Sequence, residues 1–159
     1  IIIDYNGDGG DAAPVQTCFL ENTLVNTDQG RIQISKINPT IHSIRNMEIK
    51  SVIKSTLMDS HMVFIEKDAL YKNVPCENTF ITQYHKLYYN KQLIHAYELV
   101  EMKKATFKNM SNHKNVYNIL LKNHDKMIIN NLIVETQDPN SYIGKLYNNT
   151  AIKNNAGII

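Results

Sequence analysis

The sequence has few cysteines, no long apolar run and no excess of charge of one sign, and each of these absences excludes a class of protein. Two cysteines in 159 residues are too few for a scaffold that depends on disulfides. No apolar stretch approaches the roughly 20 residues that a membrane-spanning helix needs. The 17 basic and 15 acidic residues are scattered, so they form no basic stripe for nucleic acid. We therefore expect neither a membrane nor a nucleic-acid partner.

The rest of the composition is that of one globular domain. Hydrophobic residues make up 43% of the chain and charged residues 20%, a mixture that can bury a core. We expect this domain to be a monomer. Because the chain begins at Ile1 rather than Met, we also expect it to be a piece of a longer polypeptide.

Residues 1–17 differ from the rest because they are rich in glycine and aspartate and lack hydrophobic periodicity. We interpret them as an upstream flank with the character of a linker. Asp4, Asn6 and Asp8 match the start of a calcium-binding loop, but the twelfth position, which should carry a bidentate acid, is Val15. A linker is therefore favoured over a calcium site, and we expect no metal or other cofactor.

From Cys18 onward, short β-type runs alternate with turn residues, which predicts an all-β domain. Residues 98–106 fit either a short helix or another strand. Beyond Thr136 the Asp-Pro-Asn sequence breaks the pattern, so we expect the folded domain over residues 18–136 and a C-terminal extension over 137–159. The predicted strands are 24–26, 32–34, 49–57, 62–66, 79–82, 86–89, 92–95, 116–121, 127–129 and 132–134.

Three segments hold candidate catalytic residues, although each has an ordinary structural explanation when taken alone. Cys18 begins the run Cys-Phe-Leu-Glu-Asn-Thr-Leu-Val, where an isolated cysteine is usually a small buried side chain. Thr82 and His85 lie three residues apart between two predicted strands. As a turn residue, His85 is expected to contribute little to the core. The third segment, residues 116–134, reads as a terminal hairpin with a tight Asn-Asn turn.

Together and in this order, the three segments resemble the Hint family, which includes inteins, hedgehog autoprocessing domains and bacterial or viral relatives. The resemblance runs from Cys18 to about Thr136. The Thr-x-x-His pair of Thr82 and His85 is most similar to the non-splicing bacterial or viral branch. Membership implies a compact, horseshoe-shaped all-β fold of short strands and hairpins, with Cys18 near its centre and beside the segment 116–134.

The resemblance also implies self-processing, in which a single-turnover reaction cleaves the chain itself. The Cys18 sulfur would attack the carbonyl carbon of Thr17 and convert the Thr17–Cys18 amide into a thioester, an N-to-S acyl shift. His85 is the implied acid that protonates the departing nitrogen, so an imidazole nitrogen should lie about 2.6–3.2 Å from it or reach it through one water. Thr82 is implied either to donate to the tetrahedral oxygen or to position the peptide.

The last block of the family differs here from that of splicing inteins, which end it in His-Asn. Glu135 and Thr136 occupy those positions, so we expect cleavage without splicing. The upstream segment is then the substrate, and water, a thiol or another nucleophile is the acceptor. A sterol acceptor, as in hedgehog proteins, is poorly supported because the tail from residue 137 has no clear apolar period.

Two rival functions remain open at this point. One is a catalytically silent Hint-like β domain with a structural or binding role in a larger protein. The other is a conventional cysteine hydrolase that uses Cys18 and His85 on other chains. Cleavage in cis is favoured because Cys18 lies where the flank meets the folded region. Cys76 is expected to be a packed thiol.

Overall fold

The protein is described here by a computed structural model, which covers residues 15–111 and 113–148. The calcium-loop pattern at Asp4 lies outside the described residues. The described residues form thirteen strands, a short 3-10 helix, one α-helix of six residues and a further helical segment over residues 142–148. The strands are β1 (Phe19–Leu20), β2 (Leu24–Thr27), β3 (Gly30–Gln33), β4 (Ser43–Ile44), β5 (Met47–Thr56), β6 (His61–Ile65), β7 (Thr79–Ile81), β8 (Lys86–Tyr89), β9 (Gln92–His95), β10 (Thr106–Asn109), β11 (Asn115–Leu121), β12 (Lys126–Ile129) and β13 (Leu132–Glu135), and the helices are Ile34–Lys36 and α1 (Ala96–Glu101).

The strands form two antiparallel sheets. The larger has seven strands in the order β10-β6-β7-β1-β11-β5-β4, and the smaller has six in the order β3-β2-β12-β13-β8-β9. The predicted all-β fold is therefore confirmed. β1 occupies the middle of the larger sheet, so the expected central position of Cys18, immediately before β1, is confirmed as well.

The register of β1 determines which residues lie opposite Cys18. Phe19 pairs with Tyr117 of β11 on one side and with Ile81 of β7 on the other. Because both pairs are antiparallel, the residue before Phe19 lies opposite the residue after each partner. Cys18 is thus placed between Asn118 and Thr82.

The two sheets enclose one main core, which fixes β1 and β11 in place. Phe19, Ile81 and Ile119 from the larger sheet and Ile129 and Val134 from the smaller are all fully buried in it. β11 is buried at every position except its first, as expected for an inner strand that is covered on both faces. Side chains on a strand that is enclosed in this way have little conformational freedom.

The turn chemistry explains most of the predicted hairpins. β2 and β3 pair across the predicted Asp28-Gln29 turn, and Asn130 and Asn131 both adopt positive φ, 44° and 66°, between β12 and β13. The predicted terminal hairpin is only partly correct, because β11 lies in the larger sheet while β12 and β13 form the hairpin in the smaller.

The undecided segment 98–106 is helical at its start. In α1 the backbone N–H of His95 donates to Glu98 Oε2 at 2.7 Å, one half of a capping box. The helix ends at Glu101, and the chain then forms β10 from Thr106.

Residues 142–148, in the predicted extension, are helical. Gly144 lets this helical segment approach the preceding loop, since a Cβ at this position would lie 2.1 Å from the Asp138 carbonyl oxygen. The approach brings Ile143 and Tyr147 to a cavity beside Cys18.

Candidate active site

Cys18 is buried, with 2% of its surface exposed. Its sulfur lies 4.0 Å from the hydroxyl oxygen of Ser55 on β5. Burial raises the pKa of the Cys18 thiol from 9.0 to about 12, and the contact with Ser55 offsets part of that rise. The thiol is therefore protonated at neutral pH, and it needs a base to become a nucleophile.

Thr82 holds the nitrogen side of the Thr17–Cys18 peptide. The backbone N–H of Cys18 donates to Thr82 Oγ1 at 2.8 Å, and the backbone N–H of Thr82 donates to the Cys18 carbonyl at 3.0 Å. Thr82 is itself buried. The sequence-predicted residue thus contacts the nitrogen that would leave.

Asn118 holds the other side of the same peptide. Its Nδ2 donates to the Thr17 carbonyl oxygen at 2.5 Å, and its Oδ1 accepts the backbone N–H of Ile119 at 2.8 Å. Because Oδ1 accepts that bond, Nδ2 is the group that faces Thr17. Asn118 is fully buried, which shields its side of this hydrogen bond from water.

Asn118 was not among the residues predicted from the sequence. A signal was present, since Asn118 is the one amide in the otherwise apolar run Val-Tyr-Asn-Ile-Leu-Leu. Buried polar side chains in such a run are normally held by specific hydrogen bonds. What the sequence could not show is the partner, which lies 101 positions away.

Gln137, the first residue of the predicted extension, also belongs to the site. Its Oε1 accepts the Thr17 hydroxyl at 3.1 Å and lies 3.3 Å from Asn118 Nδ2. Its Nε2 donates to Ser141 Oγ at 2.8 Å. Gln137 therefore fixes the Thr17 side chain, and this residue too was missed.

His85 is fully buried and packs against Phe19, with 4.4 Å between the ring centroids. The expectation that it contributes little to the core is therefore wrong. Its Nε2 lies 2.8 Å from the Glu135 carbonyl oxygen, which can only accept, so Nε2 carries the proton and Nδ1 a lone pair. Among the described residues, Nδ1 is buried without a hydrogen-bond partner.

The surroundings of His85 keep its ring neutral at neutral pH. Burial lowers the pKa of His85 from 6.5 to about 4, the hydrogen bond to Glu135 opposes this, and His124 lowers it further. The expected direct bond between the imidazole and the Cys18 nitrogen is not formed within the described residues, because the Cys18 N–H points to Thr82. His85 and Thr82 share one turn, in which the His85 N–H donates to the Thr82 carbonyl at 3.1 Å.

A cavity of about 450 Å³ opens beside Thr17 and Cys18. Its walls are the C-terminal part of β5 with Leu57 and Met58, together with Tyr147 from the helical segment. The Tyr147 hydroxyl donates to the Lys54 carbonyl at 2.6 Å and accepts the Lys54 N–H at 3.2 Å. The cavity is large enough for a small nucleophile next to the Cys18 sulfur.

Other candidate groups lie apart from this peptide. Cys76 is a free, half-buried thiol that lies 3.8 Å from the Arg31 guanidinium. Within residues 15–111 and 113–148, no three His, Cys, Asp or Glu side chains group closely enough to hold a metal ion. No helix in the same residues is long and apolar enough to cross a membrane.

Comparison with known families identifies the class. The sequence model of the Hint domain family, Hint_2, matches residues 17–141, which is most of the chain. The chain therefore belongs to the Hint domain family, a family of self-processing domains. A comparison with curated proteins found no match.

Solved structures agree with this family at the level of the fold. A variant of the Ssp DnaB mini-intein is similar with a TM-score of 0.52 at 9% identity, over 77% of this chain and 95% of that one. The DnaB intein from Synechocystis sp. PCC 6803 is similar with a TM-score of 0.52 at 9% identity, over 77% of this chain and 99% of that one. The predicted Hint fold is thereby confirmed.

Proposed function

We propose that this domain cleaves its own chain at the Thr17–Cys18 bond. The Cys18 sulfur bonds to the Thr17 carbonyl carbon, the bond from that carbon to the Cys18 nitrogen breaks, and a thioester and a free amine result. The observation that carries the proposal is that this one peptide is held on both sides, its N–H by Thr82 and its C=O by Asn118. Burial of both holding residues suits a fixed reaction geometry.

Asn118 supplies the stabilisation of the tetrahedral oxygen in this proposal. The carbonyl oxygen becomes negative as sulfur adds, and a donor already 2.5 Å away needs no reorganisation. One such donor is typically worth about 10²–10³-fold in rate. Of the two roles implied for Thr82, the proposal therefore takes the second, in which Thr82 positions the scissile peptide through the Cys18 nitrogen.

His85 moves the proton in this proposal. The neutral ring, with its free Nδ1, relays the proton of the Cys18 thiol to the Cys18 nitrogen in concert with C–S bond formation and C–N bond cleavage, so no separate thiolate forms. An imidazolium with a pKa of about 4 is a strong acid, which suits the protonation of a poor leaving group such as an amide nitrogen. The proton balance closes without any other reactant, since thiol and amide give thioester and amine.

The thioester is resolved by a nucleophile that enters the cavity beside Cys18. Water gives a free Thr17 carboxylate, and a thiol gives a Thr17 thioester that is released with the upstream segment. Splicing is not part of the proposal, because Glu135 and Thr136 stand at the positions of the terminal His-Asn. Their backbones are engaged, Glu135 with His85 and Thr136 with Asp125.

A catalytically silent Hint domain is the second candidate. It is favoured by one observation, the burial that raises the pKa of the Cys18 thiol to about 12. A hydrolase that acts on other chains has less support, because the chain's own Thr17 occupies the place beside Cys18.

The test is to incubate the purified chain with and without dithiothreitol and to measure the fragment masses. We expect dithiothreitol to release a fragment that ends at Thr17. An intact chain after prolonged incubation supports the silent domain instead. Cleavage of added peptides, with the chain itself intact, supports the hydrolase.

A further inference from the structure

The side chain of Gln16, two residues before Cys18, is held by three hydrogen bonds. Its Nε2 donates to Ser55 Oγ at 3.0 Å and to the Thr56 carbonyl at 2.9 Å. Its Oε1 accepts the backbone N–H of Met58 at 2.9 Å. Since a carbonyl only accepts and an N–H only donates, the orientation of the amide is fixed.

These partners match a primary carboxamide atom for atom. Two acceptors face the NH₂ group and one donor faces the oxygen. A glutamate would keep the bond to Met58 but would place a carboxylate oxygen against the Thr56 carbonyl. An asparagine is one methylene too short to reach the same three groups. The end of β5 therefore offers a binding site for one side-chain chemistry.

Ser55 connects this binding site to the nucleophile. A hydroxyl has one proton to donate and two lone pairs that accept. When Ser55 Oγ accepts from Gln16, its own proton is free to point to the Cys18 sulfur, which lies 4.0 Å away. A donor in that direction favours the negative sulfur over the neutral thiol.

We infer that the end of β5 is a carboxamide subsite that selects glutamine two residues before the cleaved bond. Gln16 acts there as a positioning residue: it anchors the upstream segment and orients the Ser55 hydroxyl toward Cys18. The inference rests on the proposed function, because it names a determinant of the same cleavage.

The first experiment replaces Gln16 with Met, which has a similar length but makes none of the three hydrogen bonds. Release of the upstream segment by dithiothreitol should slow by about tenfold, as expected for the loss of a few hydrogen bonds of modest net strength. Gln16→Glu should be slower than wild type as well. The matched control is Val15→Met at the exposed neighbouring position, which should stay within about twofold of wild type. A wild-type rate in Gln16→Met overturns the inference.

A second experiment separates positioning through Ser55 from simple anchoring of the chain. We would measure Ser55→Ala and the double variant Gln16→Met/Ser55→Ala by the same assay. If Gln16 acts through Ser55, Gln16→Met should slow cleavage less when Ser55 is already alanine than when Ser55 is present. If the rate reduction in the double variant equals the product of the reductions in the two single variants, Gln16 does not act through Ser55.

A third measurement does not depend on cleavage, so it distinguishes a failure of this inference from a failure of the proposed function. Hydrogen exchange at the Met58 amide, which donates to Gln16, should be faster in Gln16→Met than in Val15→Met, both in a Cys18→Ala background that keeps the chain intact. Faster exchange supports the subsite even if wild type fails to cleave. Equal exchange removes the subsite even if cleavage itself is observed.

Discussion

Thr82 and His85 have different roles at the Cys18 nitrogen in the proposed mechanism. Thr82 contacts the Cys18 N–H directly, whereas His85 lies in the same turn with a free Nδ1. Since only His85 has a side chain that can take up and release a proton, the two residues should contribute unequally to the rate.

We expect His85→Gln to slow thiol-dependent cleavage by about 10²–10⁴-fold, the usual range for general acid catalysis. Glutamine is chosen over alanine because His85 is fully buried, and a polar side chain of similar size limits the cavity. Thr82→Ala should cost less, since its backbone bond to the Cys18 carbonyl remains. The measurement is the initial rate of release, with circular dichroism as a folding control. A folded His85→Gln protein that reacts at the wild-type rate removes His85 from the chemistry.

Asn118 provides a separate residue-scale prediction. Asn118→Leu keeps a side chain branched at Cγ but removes the donor to the Thr17 carbonyl, so cleavage should slow by about 10²–10³-fold. The loss of the Ile119 partner also costs stability, about 1–3 kcal/mol for an unsatisfied buried group. Rates must therefore be compared at a temperature where urea titration shows both proteins to be folded. Similar rates in the two folded proteins would contradict a role for the Asn118 donor.

At the scale of elements, the helical segment 142–148 forms one wall of the cavity. It also contacts the edge of β5. The Tyr147 hydroxyl bonds both backbone groups of Lys54. Burial of this hydroxyl raises the pKa of Tyr147, and the Lys54 carbonyl partly offsets that rise. Tyr142, in the same segment, is exposed.

Tyr147→Phe should therefore loosen the edge of β5, whereas Tyr142→Phe should not. Two hydrogen bonds worth about 1 kcal/mol each predict that the Lys54 amide exchanges about tenfold faster or more in Tyr147→Phe. Hydrogen exchange followed by NMR measures this. Equal protection of Lys54 in the two variants would show that the segment does not brace β5.

The elements that the sequence predicts well are those with turn chemistry or a buried face. The Asn130-Asn131 turn and the long apolar strand β11 are examples. β10 was not predicted as a separate strand, because all four of its residues are exposed and no alternation marks a buried side. β1 and β4 have two residues each, too few to show any period.

At the scale of the whole molecule, the site is assembled where the two sheets meet. Asn118 lies in β11 of the larger sheet, and Cys18 and Thr82 directly adjoin its strands β1 and β7. His85 directly precedes β8 of the smaller sheet and is held by Glu135 at the end of β13. Cys18, Thr82 and His85 could be predicted because each lies in a short sequence motif that resembles the Hint family. Asn118 and Gln137 could not, because their contacts with Thr17 span 101 and 120 positions and depend on strand order.

The burial of His85 predicts an acid-dependent loss of stability. Its pKa is about 4 in the folded protein and 6.5 ordinarily, so the unfolded chain binds the proton first. Neutral His85 therefore contributes to the free energy of unfolding, on the order of 3 kcal/mol at most. This contribution is fully present above about pH 6.5 and is lost as pH falls through 4. Urea unfolding between pH 7.5 and 4 should show this slope in wild type and a smaller slope in His85→Gln. Equal slopes would indicate that His85 is not buried as a neutral ring.

The central claim is that the Cys18 sulfur forms the thioester, and fragment masses of three proteins test it most directly. Incubated with dithiothreitol, wild type should release a segment that ends at Thr17, and Cys18→Ser should release it slowly through an oxygen ester, because a hydroxyl is a poorer nucleophile. Cys18→Ala should remain intact. Release of the same segment from Cys18→Ala at the wild-type rate would contradict the account.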